Sequence, residues 1–246
     1  MQNNITLFIT EDYQALSRQA AQVFAQAVAK TPTGNFGFAT GSSPVGMYKE
    51  LIKMQNAGEV NLKGLTAFNL DEYYPLSPTD PQSYSCFMAE SLFDAISLPV
   101  EKRNIPKGDA PDPLAECTRY EESITNAGGI ELQILGIGNN GHIGFNEPAE
   151  AFAGTTNYVE LAEDTINANA RFFEDINDVP KHALTMGIKS IMMAKAILLV
   201  ASGEGKAKII HEALTGPITP QVPASVLQLH HSVTVVIDKA AAKYFK

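Results

Sequence analysis

The sequence predicts an α/β fold built on a mostly parallel sheet flanked by helices, and three observations carry that prediction. Apolar, β-branched runs of strand length alternate with longer segments of helical period. The Pro-rich stretches between them, "YYPLSPTDPQS" and "KGDAPDP", have the ordinary length of turns. With 246 residues and 45% hydrophobic content, the chain can bury one sizeable core.

Taken in order, "ITLFI" gives a first strand at Ile5 to Ile9, and the 3.6-residue apolar period of Tyr13 to Ala29 gives a helix. Phe36 to Ala39 and Leu65 to Leu70 are the next apolar runs, with a helix over Pro44 to Gln55 between them. Helical periods follow at Ser83 to Ala95 and Leu114 to Asn126, before a strand at Leu132 to Ile137. Ile197 to Ala201 and Val233 to Ile237 close the set of strands, separated by a helix at Lys206 to Leu214. No internal repeat or low-complexity linker divides the chain, so residues 1–246 read as a single α/β domain. The polar, breaker-poor stretch from about 150 to 181 fits no strand of the sheet and reads as a mobile cover over a site.

Composition excludes several classes of function. A formal charge of -9 opposes a nucleic-acid or anionic-membrane surface, so an anionic small molecule would need a locally cationic pocket. Two cysteines, Cys86 and Cys117, with no C-x-x-C pair, argue against a disulfide framework or a thiolate zinc site. The N-terminal "MQNNITLFITEDYQ" has neither a basic start nor an apolar signal core, and "SIMMAKAILLVAS" is too short to span a membrane. A cytoplasmic location is the expectation.

In a parallel sheet, ligands bind beyond the carboxyl ends of the strands, which directs attention to four loops. After Phe36 to Ala39 comes "TGSSPVGMYKEL", where the hydroxyls of Thr40, Ser42 and Ser43 stand before Pro44. Hydroxyl caps and Pro at the first helical position would turn free N–H groups and the positive helix end toward a phosphate. A capped helix with no ligand fits that stretch equally well. Gly41 to Gly46 has the spacing of a nucleotide P-loop, but Met47 and Tyr48 stand where Lys and a hydroxyl residue are needed. Val45 likewise breaks the G-x-S-x-G elbow of a serine hydrolase.

After Leu65 to Leu70 comes "DEYYPL", with Asp71 and Glu72 on opposite faces of an ending strand, so one of them points into the crevice. There it is a candidate general base or a solvated turn acid. The third loop, "GIGNNGHIGFNEP", holds G-x-G-x-x-G at Gly136, Gly138 and Gly141. A dinucleotide fingerprint requires those glycines to open a helix, and "HIGFNEP" resists one. What remains is a Gly-rich loop with His142 and Glu147 five residues apart. Pro148 biases Glu147 toward an extended backbone, which lets its carboxylate turn back to hold the imidazole in one tautomer. A structural loop histidine is the alternative. The spacing of His142, His182, His211, His230 and His231 gives no metal motif, and the adjacent pair His230 and His231 would point apart if extended. The fourth loop, "SGEGKAKII", places Lys206 in the first turn of a helix, where a cation is unfavourable unless an anion binds or the lysine is merely on the surface.

These stretches, with "SYSCFM", "RFF" and "LTMGI", resemble the glucosamine-6-phosphate deaminase (isomerase) family over nearly the whole chain, "FNLDEY" and "GNNGHIGFNEP" being the most specific. The resemblance implies a Rossmann-like three-layer sandwich with a helical lid segment and no bound dinucleotide. It also implies conversion of D-glucosamine 6-phosphate and water to D-fructose 6-phosphate and ammonia, in N-acetylglucosamine catabolism, without metal or organic cofactor. By the same resemblance His142 opens the sugar ring, oriented by Glu147 and Asn140, and Asp71 moves the C2 proton to C1. The phosphate is assigned to Thr40, Gly41, Ser42, Ser43, Lys206 and Arg171, of which Arg171 alone would read as a solvated helix residue. Many members carry Asp where this chain has Asn140, and an amide can orient but cannot act as a base. Hexameric members hold N-acetylglucosamine 6-phosphate as an activator with basic residues after "FNEP", whereas "AEAFAGTTNYVELAED" contains no Lys or Arg, so no such allosteric site is expected. Oligomeric state stays open between monomer and homo-oligomer. A phosphosugar sensor, a galactosamine-6-phosphate deaminase and a lactonase are the competing readings, the last having no need of Asp71.

Overall fold

The computed structural model describes residues 4–170, 173, 175 and 178–245. Its main sheet has seven strands in the order β1-β10-β9-β6-β2-β3-β5. They are β1 (Ile5–Thr10), β2 (Asn35–Phe38), β3 (Thr66–Asn69), β5 (Arg103–Asn104), β6 (Leu132–Leu135), β9 (Ile197–Ala201) and β10 (Val233–Asp238), and every pairing is parallel. Strands β6 and β9 are buried at every position, as expected of a sheet covered on both faces.

The helices owe their boundaries to local chemistry. In α1 (Tyr13–Lys30), Leu16, Ala20, Phe24 and Val28 recur every four residues and are buried, while Asp12 caps the start by accepting from the Ala15 N–H at 2.8 Å. Asp112 and Pro113 begin α4 (Pro113–Asn126) in the same way. Phe24 packs against Phe36 and Phe38 at 5.1 and 5.5 Å between ring centroids, and Phe93 meets Phe38 edge-on at 5.4 Å. Rings of this size, fully buried, each contribute roughly 1.5–3 kcal/mol and fix the strand from which a functional loop emerges.

The structure differs from the sequence reading in several places, and β5 and α6 (Ile188–Met192) are elements that the reading did not include. "DEYY" is a separate strand, β4 (Asp71–Tyr74), in a second, antiparallel sheet of order β4-β8-β7 with β8 (His182–Thr185) and β7 (Asn157–Glu160). The polar stretch at 150–181 therefore contains a strand as well as a helix, α5 (Glu163–Asn169), because the residues of β7 have a ladder partner in β8, beyond that helix. The helix expected over 83–95 is α3 (Tyr84–Met88), continued by a π-helical turn at Ala89–Phe93. Helix α2 (Ser42–Asn56) begins two residues before Pro44. The remaining helices are α6 (Ile188–Met192) and α7 (Ala207–Thr215).

Sheet order locates the site. From β2 the chain runs outward through β3 to β5, then returns to place β6 on the other side of β2, so the loops after β2 and β6 diverge. The crevice opens at that reversal. Over it the second sheet is anchored by Glu121 of α4, whose carboxylate accepts from the Thr156 N–H and hydroxyl at 3.0 and 2.8 Å and from the Ser190 hydroxyl.

Candidate active site

The loop after β2 is held from behind, and its residues Thr40 to Ser43 line a cavity. Gly41, at φ 99°, is the N-cap residue of α2, and no side chain caps the helix. Ser42 and Ser43 therefore lie in the first turn instead of capping it. Helix starts carry N–H groups without intrahelical partners, and these have no side-chain cap. Tyr48 ties the strand end to the helix by donating to the Ala39 carbonyl at 2.6 Å. Tyr13 braces the outside, donating to the Ser42 carbonyl and accepting from the Gly46 N–H, both at 2.8 Å.

Alternation in β4 separates its two acids. Glu72 is buried against the start of α3, accepting from the N–H groups of Tyr73, Tyr84 and Ser85 at 2.9, 2.8 and 2.9 Å. Burial lifts its carboxyl to about 7 against the opposing pull of those three donors. Asp71 faces the crevice. Burial pushes its carboxyl from 3.8 up to about 8, and the charge of Glu72 adds to the rise. Asp71 also meets the third loop: a methyl built at Gly144 would lie 3.5 Å from Asp71 Oδ2 and 2.9 Å from Thr185 Oγ1, so glycine is what lets that loop approach β4 and β8.

In the loop after β6, three side chains close around one carboxylate. Glu147 Oε2 accepts from Asn140 Nδ2 at 2.6 Å and lies 3.2 Å from His142 Nδ1. Glu147 Oε1 accepts from the Thr165 hydroxyl of α5 at 2.6 Å. Burial alone would raise this carboxyl, but the hydrogen bond and charge of His142, with Thr165 and Asn140, outweigh it and hold Glu147 down from 4.5 to about 2. An ionised Glu147 makes Nδ1 the protonated ring nitrogen and leaves Nε2 for a ligand. The imidazole lies over Gly138, where a methyl would come within 2.2 Å of His142 Cε1. Asn140 uses both ends of its amide, Nδ2 on Glu147 and Oδ1 on the His142 N–H at 3.2 Å.

The fourth loop is set by Asp238 at the end of β10, which accepts from the Ser202 hydroxyl at 2.5 Å and the Gly203 N–H at 3.0 Å. A short 3-10 turn, Glu204–Lys206, then leads into α7 with Lys206 as its N-cap residue. Lys206 Nζ donates to Asn139 Oδ1 at 2.6 Å, joining the fourth loop to the third.

All four loops open on one cavity of about 510 Å³. Thr40, Gly41, Ser42, Ser43, Asp71, Asn140, His142 and Lys206 line it, and Glu147 stands directly behind His142. Arg171 lies outside the described residues. His182, His211, His230 and His231 do not line the cavity, and the last two do not point apart: their rings stack at 4.5 Å, with His230 Nε2 on the Ala194 carbonyl at 2.8 Å. The sequence reading missed Tyr84, Asn139 and Thr165 in the cavity wall. Tyr84 and Asn139 stood inside motifs already singled out, whereas Thr165 lies in a polar stretch with no signal until α5 is placed.

The chain matches a family model described as glucosamine-6-phosphate isomerases/6-phosphogluconolactonase over residues 10–236. A glucosamine-6-phosphate deaminase of Lachnoclostridium phytofermentans is 55% identical over 224 residues, 91% of this chain and 95% of the relative. One from Clostridium perfringens is 48% identical over 98% of this chain and 99% of the relative. Among solved structures, a monomeric glucosamine-6-phosphate deaminase superposes with a TM-score of 0.94 at 43% identity, covering 97% of this chain and 99% of that one. A 6-phosphogluconolactonase of Trypanosoma cruzi, at TM-score 0.80 and 15% identity, shares the fold.

Proposed function

The chain belongs to the glucosamine-6-phosphate isomerase/6-phosphogluconolactonase family, and from its site we infer how it performs the reaction named for its near relatives. It converts D-glucosamine 6-phosphate and water to D-fructose 6-phosphate and ammonia. The observation that carries the assignment of roles is the convergence of Asp71 and His142 on one cavity whose other wall is a helix start and a lysine.

The phosphate occupies the N–H groups and hydroxyls of Thr40 to Ser43, with Lys206 supplying charge, and Arg171 is proposed as a second cation. This fixes the far end of the sugar and brings its ring to His142 and Asp71. Nε2 of His142 takes the proton of the anomeric hydroxyl and returns it to the ring oxygen, so one proton moves and the hemiacetal opens to the aldehyde. Glu147 keeps the imidazole in the tautomer that allows this and stabilises it while it carries the extra proton. Asp71, ionised, then removes the C2 proton to give an enolamine and delivers that proton to C1. The resulting C2 imine adds water, loses ammonia and becomes the ketone. A base whose pKa is raised toward the working pH is strong enough for a C–H proton and still ionised in part of the population. Proton transfers, the addition of one water to the C2 imine and loss of ammonia from the carbinolamine balance the reaction, and no cofactor is proposed.

We further propose that residues 1–246 act as one unit in the cytoplasm, with the segment at 150–181 covering the site. No nucleic-acid partner and no allosteric N-acetylglucosamine 6-phosphate site are included in the reading. Among the described residues no helix is long and apolar enough to cross a membrane. Chelator-treated protein incubated with D-glucosamine 6-phosphate should release ammonia and fructose 6-phosphate in equal amounts. Binding without either product, or hydrolysis of 6-phosphogluconolactone instead, would overturn the reading.

A further inference from the structure

Glu147 is shared between two parts of the molecule. Oε2 faces its own loop, with Asn140 Nδ2 at 2.6 Å and His142 Nδ1 at 3.2 Å, while Oε1 takes the Thr165 hydroxyl at 2.6 Å from α5, outside that loop. Thr165 is 7% exposed and also lines the substrate cavity. Its helix is seated independently of the bond: the next residue, Ile166, packs against the small core of Tyr73, Phe145, Leu161 and Ala183, and the Leu161 N–H donates to the Lys181 carbonyl at 2.8 Å. Held at Oε1 by Thr165 and at Oε2 by Asn140, the carboxylate plane is restrained about its last torsion, a rotation that would carry Oε2 away from Nδ1.

We propose that Thr165 is a positioning residue: its hydroxyl, together with Asn140 on the other oxygen, locks the Glu147 carboxylate against His142, so that docking of α5 over the cavity completes the orientation of the imidazole. The inference rests on the roles assigned above to His142 and Glu147. It assigns a part in ring opening to a residue that touches none of the reacting atoms, and it makes docking of the cover a condition of acid-base competence as well as of water exclusion. Among the described side chains, His142 is the charged group that acts on Glu147; Asp71 and Lys206 line the same cavity as Thr165, Glu160 at the end of β7 lines a smaller cavity of about 230 Å³ together with Glu147, and Glu163 of α5 is exposed. Neither Glu160 nor Glu163 can replace a donor, so loss of the hydroxyl leaves Oε1 without its partner and favours protonation of Glu147 at higher pH.

The test compares Thr165→Val, which keeps the shape, with Thr165→Ser, which keeps the hydroxyl, and includes His142→Gln as a reference. Turnover and KM are measured from about pH 5 to 9, and melting temperature is recorded in parallel. Thr165→Val is expected to lose roughly 10- to 100-fold in kcat with KM for D-glucosamine 6-phosphate within about twofold, the scale of one hydrogen bond to a charged group. Its acidic limb should move to higher pH, and Thr165→Ser should restore both features. A Thr165→Val enzyme of normal kcat and unmoved acidic limb, beside an inactive His142→Gln, overturns the positioning role alone. An equal loss at every pH that Thr165→Ser does not repair overturns it too, since a packing defect behaves that way. An active His142→Gln overturns the underlying mechanism and this proposal with it.

Discussion

Replacing Asp71 with Asn separates two properties that the raised pKa of this carboxyl joins, its strength as a base and the cost of burying it ionised. Burial, with the charge of Glu72 beside it, lifts Asp71 from 3.8 to about 8. A carboxyl that holds its proton more tightly in the folded chain than in the unfolded one contributes stability in full below 3.8 and loses it as the pH rises through about 8. Every tenfold gain in proton affinity is worth about 1.36 kcal/mol, which sets a ceiling on the order of 5 kcal/mol for the whole window, with relaxation and water entry reducing it to a few. Asn has the same shape and does not titrate. The stability of the variant relative to the parent should therefore rise with pH across that window and level off above it, whatever constant offset the amide introduces. Turnover should fall by roughly 10²- to 10⁴-fold with little change in KM, since the lost group acts on the C2 proton and not on the phosphate. Urea unfolding of both proteins at about pH 5, 7 and 9, with ammonia release measured at the same values, checks both statements. Parallel stability curves would refute the burial argument, and near-normal turnover would remove Asp71 from the chemistry.

Lys206→Ala removes a cation from the cavity wall proposed to hold the phosphate and should raise KM by roughly 10- to 100-fold with a smaller effect on kcat, read from steady-state kinetics at two ionic strengths. Gly138→Ala places a methyl 2.2 Å from His142 Cε1 and must displace the ring, so kcat should fall by roughly 100-fold while KM holds. Asn140→Asp puts a carboxylate in place of the donor 2.6 Å from Glu147 Oε2, and two such groups share a proton, so the acidic limb of kcat/KM should move to higher pH.

Legibility in the sequence followed the range of the interactions involved. Six of the seven parallel strands announce themselves as apolar, β-branched runs, most plainly "ILLVA" of β9, which is buried on both faces, whereas the two-residue β5 is too short to have a pattern. The second sheet was not legible: β4 and β8 are paired from Asp71 with Thr185 to Tyr74 with His182, more than a hundred residues apart, and nothing local in "NYVE" of β7 calls for a strand. The same distinction runs through the site. His142 and Glu147 lie within one loop, and a carboxylate before Pro148 turning back on an imidazole is a local expectation. Thr165 on Glu147 and Lys206 on Asn139 are products of topology, and the sequence has no means of pointing to them before the helices are docked.

That division of sources also explains how one cavity keeps two carboxylates in opposite states. Glu147 belongs to a loop that supplies its own donors, Asn140 and His142, and receives a third from Thr165 of α5, which together hold it near 2 despite burial. Asp71 arrives on a strand whose inward face offers none of this: its neighbour Glu72 takes the available N–H groups of Tyr73, Tyr84 and Ser85, and the charge that Glu72 carries when ionised pushes Asp71 further toward 8. A fixed anion suits the orientation of an imidazole and a reluctant one suits carrying a proton between two carbons, because in the proposed mechanism only the second gains and loses a proton in every cycle. Glu72 is therefore part of the design through charge as well as through the helix it caps, since a neutral residue there would leave α3 without its carboxylate and Asp71 a weaker base.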